Sequence, residues 1–262
     1  MSNIGLVWIR EDFRIENNAA LSYASQNHEH VVAFYIYNNI DFDNKREAQK
    51  WWLSKSLENF KKELSNYQIN LQVVKGDELD IFSKIKKKDN VSIYWNKIYE
   101  PDVILKGKKI RDLFIKNEIN FKYFKGNILN EFQDVTKNDK TPFKVFTPFW
   151  RTAEKIYLDS PPSKNYTIKK KLQNKSFFKN CIVPNNILPK KNWHKKFEKY
   201  WNVSENDSKK ILKNLIANKI KDYGISRDIP SIEGTSKLSP YIKFGQIHVG
   251  TIWKKCNEIK SK

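Results

Sequence analysis

A chain of 262 residues holds one large domain, or one domain and part of another, and 39% hydrophobic with 14% aromatic residues suffices for a packed core. That composition excludes wholesale disorder, and with no signal-peptide profile and no apolar run near the ~18 residues of a membrane span, the chain reads as soluble, cytoplasmic and without a membrane partner. The formal net charge of +20 can supply a phosphate-binding face, but arginine stands at only six positions (10, 14, 46, 111, 151 and 227). A lysine surplus beside abundant Asn and Ile is equally what an AT-rich genome imposes on any protein. Cys181 and Cys256 are the only cysteines, and neither belongs to a metal-ligand pair such as CxxC. With four scattered histidines, no metal site, disulfide or catalytic chemistry is assigned to them.

Strand and helix signals alternate from the start. Ile4–Ile9 is a short apolar run bounded by polar residues, hence a buried strand. Ala19–Ser25 follows as a helix and Val31–Tyr37 as a second strand. Between Glu47 and Leu64, the residues Leu53, Leu57, Phe60 and Leu64 mark one helical face. Leu71–Val74 is a third strand, Glu78–Ile85 a helix, Val91–Trp95 a fourth strand, Ile104–Ile115 a helix and Phe121–Phe124 a fifth strand. These repeats predict an α/β fold, a five-stranded parallel sheet with helices on both faces. No GxGxxG follows the first strand, so the ordinary dinucleotide clamp is absent. A ligand belongs in the crevice at the carboxyl ends of the strands, where Arg10–Arg14 and Trp95–Glu100 begin.

The texture then changes. Thr147 and Pro148 suit the N-cap and first turn of a helix through Ile156. Asp159–Asn192, rich in Pro, Lys, Asn and Ser, reads as a long solvated connection. Beyond it Ile211, Leu212, Leu215, Ile216 and Ile220 form a helical stripe, and the remainder holds no convincing strand.

Chemistry concentrates in Tyr223–Gly245, YGISRDIPSIEGTSKLSPYIKFG. Gly234 permits an unusual turn, and Thr235, Ser236 and Ser239 offer hydroxyls at the start of an expected helix, Leu238–Phe244, with Pro240 in its first turn. Hydroxyls and free N–H groups at a helix start make a phosphate site; the alternative is that these residues are ordinary caps.

The run RDIPSIEGTSKLSPYIKFG closely resembles the flavin-diphosphate motif of the photolyase/cryptochrome family. Three further segments resemble that family in the expected order: LVWIREDFRIENNAAL (Leu6–Leu21), YWNKIYEPD (Tyr94–Asp102) and FKVFTPFWR (Phe143–Arg151). Trp51 and Trp52, with Leu53 and Ser56, resemble a helix found there.

The resemblance implies a Rossmann-like antenna-binding domain over 1–130, an interdomain connection over 131–198 and the beginning of an all-α FAD-binding domain over 199–262. It implies that Tyr223, Thr235, Ser236, Lys237, Leu238 and Ser239 hold FAD, mostly through its phosphates. It also implies that Arg227 contacts the DNA backbone near a lesion, the local alternative being a salt bridge to Asp228 or Glu233. Arg10, Asp12 and Arg14 match the opening of the family pattern, where structure and interdomain pairing are the expected roles.

The antenna loop, Tyr99-Glu100-Pro101-Asp102-Val103, departs from the Asn-Glu pair of folate-using members, so the antenna chromophore stays open between folate and deazaflavin. Trp8, Trp51, Trp52, Trp95 and Trp150 read as packing residues. The family's relay tryptophans, flavin-N5 partner and lesion pocket match positions beyond Lys262, so no catalytic residue is assigned and the chain alone is expected to be inactive. The implied parent activity is that of a deoxyribodipyrimidine photo-lyase. In it reduced FAD, excited directly or through an antenna, gives an electron to a cyclobutane pyrimidine dimer in UV-damaged DNA; the ring splits and the electron returns. A monomer is expected. Two other readings remain: a cryptochrome-type blue-light photoreceptor, and a plain nucleotide-binding α/β module, against which the TSKLS run speaks.

Overall fold

Adjacent residues of a strand point to opposite faces of its sheet, so a run buried throughout must lie between two layers. β1 (Ile4–Ile9) is such a run, buried at every position. In the computed structural model, which describes residues 4–38, 47–159, 166–168 and 172–260, β1 is the centre of a six-stranded sheet. The other strands are β2 (His30–Tyr37), β3 (Asn70–Lys75), β4 (Val91–Asn96), β5 (Asn120–Phe124) and β6 (Cys181–Ile182), in the order β5-β4-β1-β2-β3-β6. β1 to β5 pair in parallel, with Trp8 level with both Phe34 and Trp95.

Val7, Ile9, Ala33, Tyr35 and Val73 face one layer, formed by α1 (Ala19–Asn27) and α2 (Glu47–Ser65). Leu6, Trp8, Phe34, Ile36 and Ile93 face the other, formed by α3 (Glu78–Ser83) and α4 (Pro101–Lys116). The two-sided parallel core therefore stands as expected.

Two expectations need correction. The sheet has six strands rather than five, and the sixth is antiparallel: Val73 and Val74 of β3 pair with Ile182 and Cys181. Two residues are too short to leave a periodicity, and β6 forms because the edge of β3 captures it. The Gln72 amide oxygen accepts from the N–H groups of Phe177 and Phe178 at 2.8 and 3.0 Å, while its nitrogen donates to the Phe178 carbonyl at 2.8 Å.

For the same reason the connection is not simply solvated. Ile168, Leu172 and Ile187 are buried in the α1/α2 layer, and Phe177 and Phe178 pack on the opposite one. The helix expected from Thr147 begins one residue earlier, as α5 (Phe146–Asp159), which puts Thr147 inside it rather than at its cap.

Past the sheet come α6 (Glu205–Asn214), a π turn (Leu215–Lys219), α7 (Tyr223–Ser226), α8 (Ser239–Lys243) and α9 (Val249–Lys260). Among the described residues no helix is long and apolar enough to cross a membrane. α2 serves both halves. Leu53, Leu57, Phe60 and Leu64 cover the sheet, whereas Trp51 and Trp52 pack on Val203, Leu212, Leu215, Leu238 and Tyr241. Trp8, Trp51, Trp52 and Trp95 are all buried and make edge-on ring contacts, which is packing.

Candidate cofactor phosphate site

β1 and β4 are neighbours in space but far apart in sequence, and the chain leaves their carboxyl ends in opposite directions. Such a switch point opens a crevice. It is present here, with a volume of about 430 Å³, lined by Glu11, Asp12, Lys97, Tyr99, Glu100 and Lys243 among others. The Asp12 carboxylate accepts from Arg10 N–H at 2.8 Å and from the Asn96 amide at 2.6 Å, fixing both loops. The Arg10 side chain donates to the Asn96 carbonyl at 2.5 Å and lies over Trp8 at 4.5 Å. Burial lowers its pKa to about 10, with Asp12 opposing the shift.

The same β1 loop is where the helical half docks. Phe13 N–H donates to the Phe244 carbonyl at 3.2 Å, and the buried Arg14 guanidinium to the Gly245 carbonyl at 2.8 Å. Asn127 completes the joint. Its nitrogen donates to the carbonyls of Ile242 and Ile247 at 3.1 and 3.2 Å, and its oxygen accepts from Val249 N–H at 2.9 Å. His248, buried beside Arg14, is pushed down to about 3 by desolvation first and that positive charge second, so it is neutral. Its Nδ1 accepts from Gly250 N–H at 3.0 Å.

α8 is thereby bolted at its carboxyl end, and the TSKLS run stands at its other end. Gly234 packs against the Ser226 carbonyl so closely that a Cβ would lie 2.0 Å from the oxygen. Lys237 takes a left-handed φ of 55°, and its ammonium pairs with Glu233 at 2.5 Å. Leu238 is buried and Tyr241 donates to the Asn202 carbonyl at 2.6 Å, so both anchor the turn in the core. Leu238 can therefore meet a ligand through its main chain only.

Thr235 and Ser239 are exposed and Ser236 is half-buried. The N-cap of α8 is Leu238, with no side-chain cap, and the one hydroxyl contact nearby is a long one, Leu238 N–H to Ser236 Oγ at 3.4 Å. Tyr223 is half-buried against the core that holds Leu238. Arg227 is exposed at the end of α7, and its nearest carboxylate is Asp228 at 3.6 Å; Glu233 is taken by Lys237. Of the expected site residues, Thr235, Lys237, Ser239 and Arg227 are exposed, Tyr223 and Ser236 half-buried and Leu238 buried. The sequence reading missed Asn127 and Gln246, because a single amide leaves no pattern. Gln246 accepts from Trp52 Nε1 at 3.0 Å, tying α2 to the joint.

A family model described as DNA photolyase matches residues 5–169, more than half of the chain, and the chain belongs to that family. A deoxyribodipyrimidine photo-lyase of Agrobacterium fabrum is 27% identical over 253 residues, covering 95% of this chain and 52% of its own length. Cryptochrome-2 of Arabidopsis thaliana is 23% identical over 273 residues, covering 97% of this chain and 43% of its own. The crystal structure of a bacterial class III photolyase from Agrobacterium tumefaciens matches with a TM-score of 0.87 at 26% identity, over 100% of this chain and 54% of that one. The chain spans about half the length of these relatives.

Proposed function

We propose that residues 1–130 are the antenna-side domain, 131–198 the connection and 199–262 the beginning of the FAD-binding domain of a deoxyribodipyrimidine photo-lyase. Its substrate is UV-damaged DNA carrying cyclobutane pyrimidine dimers. It acts in the cytoplasm as a monomer, which a net charge of +20 favours by self-repulsion. FAD, when bound, supplies the light absorption and the electron exchange with the dimer.

The observation that carries this reading is the uncapped α8. Three hydroxyls fall within five residues of the chain, and the helix that follows uses none as its cap. Thr235 and Ser239 are exposed and free to meet a diphosphate, with Ser236, Lys237 and Leu238 between them in the chain. Tyr223 packs on the same core as Leu238. The crevice between β1 and β4 is the proposed seat of an antenna of the folate or deazaflavin type.

Light-dependent loss of dimers from UV-irradiated DNA, assayed with the longest natural form of the protein, tests the activity. Tight flavin without dimer loss would favour the photoreceptor reading, which the cryptochrome relative supports. The 262-residue chain alone is expected to hold FAD weakly, because a cofactor's affinity comes from burying most of its surface. An absorbance scan checks this, and stoichiometric flavin in the purified chain would refute it.

Arg227→Ala is expected to leave flavin content unchanged and to weaken binding to irradiated DNA. The slope of log affinity against log salt should flatten by about 0.9, one phosphate contact on duplex DNA. An unchanged slope would make Arg227 a local partner of Asp228.

A further inference from the structure

None of the segment at residues 143–151 lines the crevice between β1 and β4 or belongs to the TSKLS turn. Two of its apolar side chains stand in water: Val145 is 63% exposed and Phe146 72%. The Phe146 ring lies parallel to that of Trp150, one turn along α5, with centroids 6.3 Å apart and planes 10° from coplanar. Trp150 is in turn packed edge-on by Trp253 at 5.8 Å, so the helical half backs the pair. A hollow of about 520 Å³ opens between the loop at residues 136–139 and α5, lined by Thr136, Lys137, Asn138, Asp139, Phe143 and Thr152.

This surface is basic. Between residues 137 and 155 five exposed cations, Lys137, Lys140, Lys144, Arg151 and Lys155, stand against two carboxylates, Asp139 and Glu154. Lys137 acts on Asp139, whose carboxylate also accepts from the Thr141 hydroxyl at 2.6 Å. Among the described residues Lys140, Lys144, Arg151 and Lys155 hold no carboxylate. Elsewhere such lysines are taken up, Lys97 by Glu131 and Lys209 by Glu16 and Glu205.

An exposed ring beside unpaired cations suits a partner that has both flat π faces and repeated negative charge. A single strand of nucleic acid has both, since every base offers a face for stacking and the phosphates meet the cations. A duplex hides those faces in its own stack, and an acidic peptide lacks them. A second copy of a chain of net charge +20 is repelled. We propose that the surface at residues 143–155 binds a single strand of nucleic acid, with a base stacked on Phe146 and the backbone held by Lys144, Arg151 and Lys155. The contact needs neither a lesion nor FAD, so it stands or falls apart from the proposed repair activity.

Fluorescence anisotropy with a labelled, undamaged deoxythymidine oligomer tests this, on the 262-residue chain and on the longest natural form alike. Phe146→Ala is expected to raise the dissociation constant about fivefold to a hundredfold, the usual worth of one base stacked on an aromatic ring. Phe146→Tyr keeps the ring and is expected to bind as the wild type does. Neither change should alter binding to a duplex of the same length. Replacing Lys144, Arg151 and Lys155 together by Gln should flatten the slope of log affinity against log salt by about 2, three phosphate contacts on a single strand. The matched control removes the same charge from α4, as Lys108→Gln, Lys109→Gln and Lys116→Gln, all exposed, and should shift the slope by less than one contact's worth. Equal losses from the two triple variants would reduce the effect to the net charge of the chain and overturn the proposal. So would unchanged binding by Phe146→Ala, or an effect that vanishes in the longest natural form. Displacement of the oligomer by polyglutamate as readily as by unlabelled oligomer would also overturn it, in favour of an acidic protein partner.

Discussion

Gly245→Ala is expected to lower the unfolding free energy of the chain by about 3–5 kcal/mol, the range of severe single substitutions. Two costs combine. Gly245 has φ of 65°, and placing an L side chain there costs about 1 kcal/mol or more. The larger cost is steric: the new Cβ would lie 1.9 Å from the Glu11 carbonyl oxygen and 2.7 Å from the Asp12 Cα. Neither neighbour is the end of a flexible side chain. Moving them strains the Phe13 N–H bond to Phe244 and the Arg14 bond to Gly245, and it disturbs the Asp12 carboxylate that holds Arg10 and Asn96. Denaturant titration measures the loss. Gly224→Ala is the matched control, since it lies in α7 with nothing within 4 Å of its Cβ, and its effect should stay within about 0.5 kcal/mol. Equal effects at the two positions would show that the α8 joint contributes little.

The α/β half was legible because its signals are local. A strand buried on both faces is largely apolar, and β1 and, from Val31 onward, β2 are. The period of Leu53, Leu57, Phe60 and Leu64 belongs to a helix lying on a sheet. The same α2 shows where local reading stops. Its first turns belong to a second core, and nothing in the spacing of Trp51 and Trp52 says that they meet Leu238 and Tyr241, nearly two hundred positions away. β6 was invisible because its cause lies in the Gln72 side chain of another strand.

The TSKLS segment was visible by resemblance, and its local structure only in outline. Sequence supplies three hydroxyls and a lysine. The fold shows that Leu238 is a core anchor, that Lys237 is neutralised by Glu233, and that Ser236 already has a backbone partner. Arg14 illustrates the reverse case. Its place in a family pattern said little about its role, whereas its buried bond to Gly245 makes it part of the joint at the carboxyl end of α8.

Those distinctions set the size expected for replacing Thr235, Ser236 and Ser239 together by Ala. Ser236 Oγ already accepts from Leu238 N–H at 3.4 Å, so its removal is expected to cost phosphate binding the least. Thr235 and Ser239 are exposed, and on the proposed reading each gives a phosphate one charge-assisted hydrogen bond. Two such bonds at about 1.5–3 kcal/mol each correspond to a rise in the FAD dissociation constant of roughly a hundredfold to ten-thousandfold. The fold itself should be spared, because Gly234, Leu238 and Tyr241 hold the turn without these hydroxyls. The measurement is flavin absorbance after dialysis, with a melting curve alongside, in any form of the protein that retains FAD. Ser236→Ala alone should cost less than about tenfold, since its oxygen is the one already engaged. If the triple variant kept its flavin with an unchanged melting curve, the hydroxyls would be surface residues of the turn. The phosphates would then be held by main-chain N–H groups alone, and the family membership would stand without this reading of its residues.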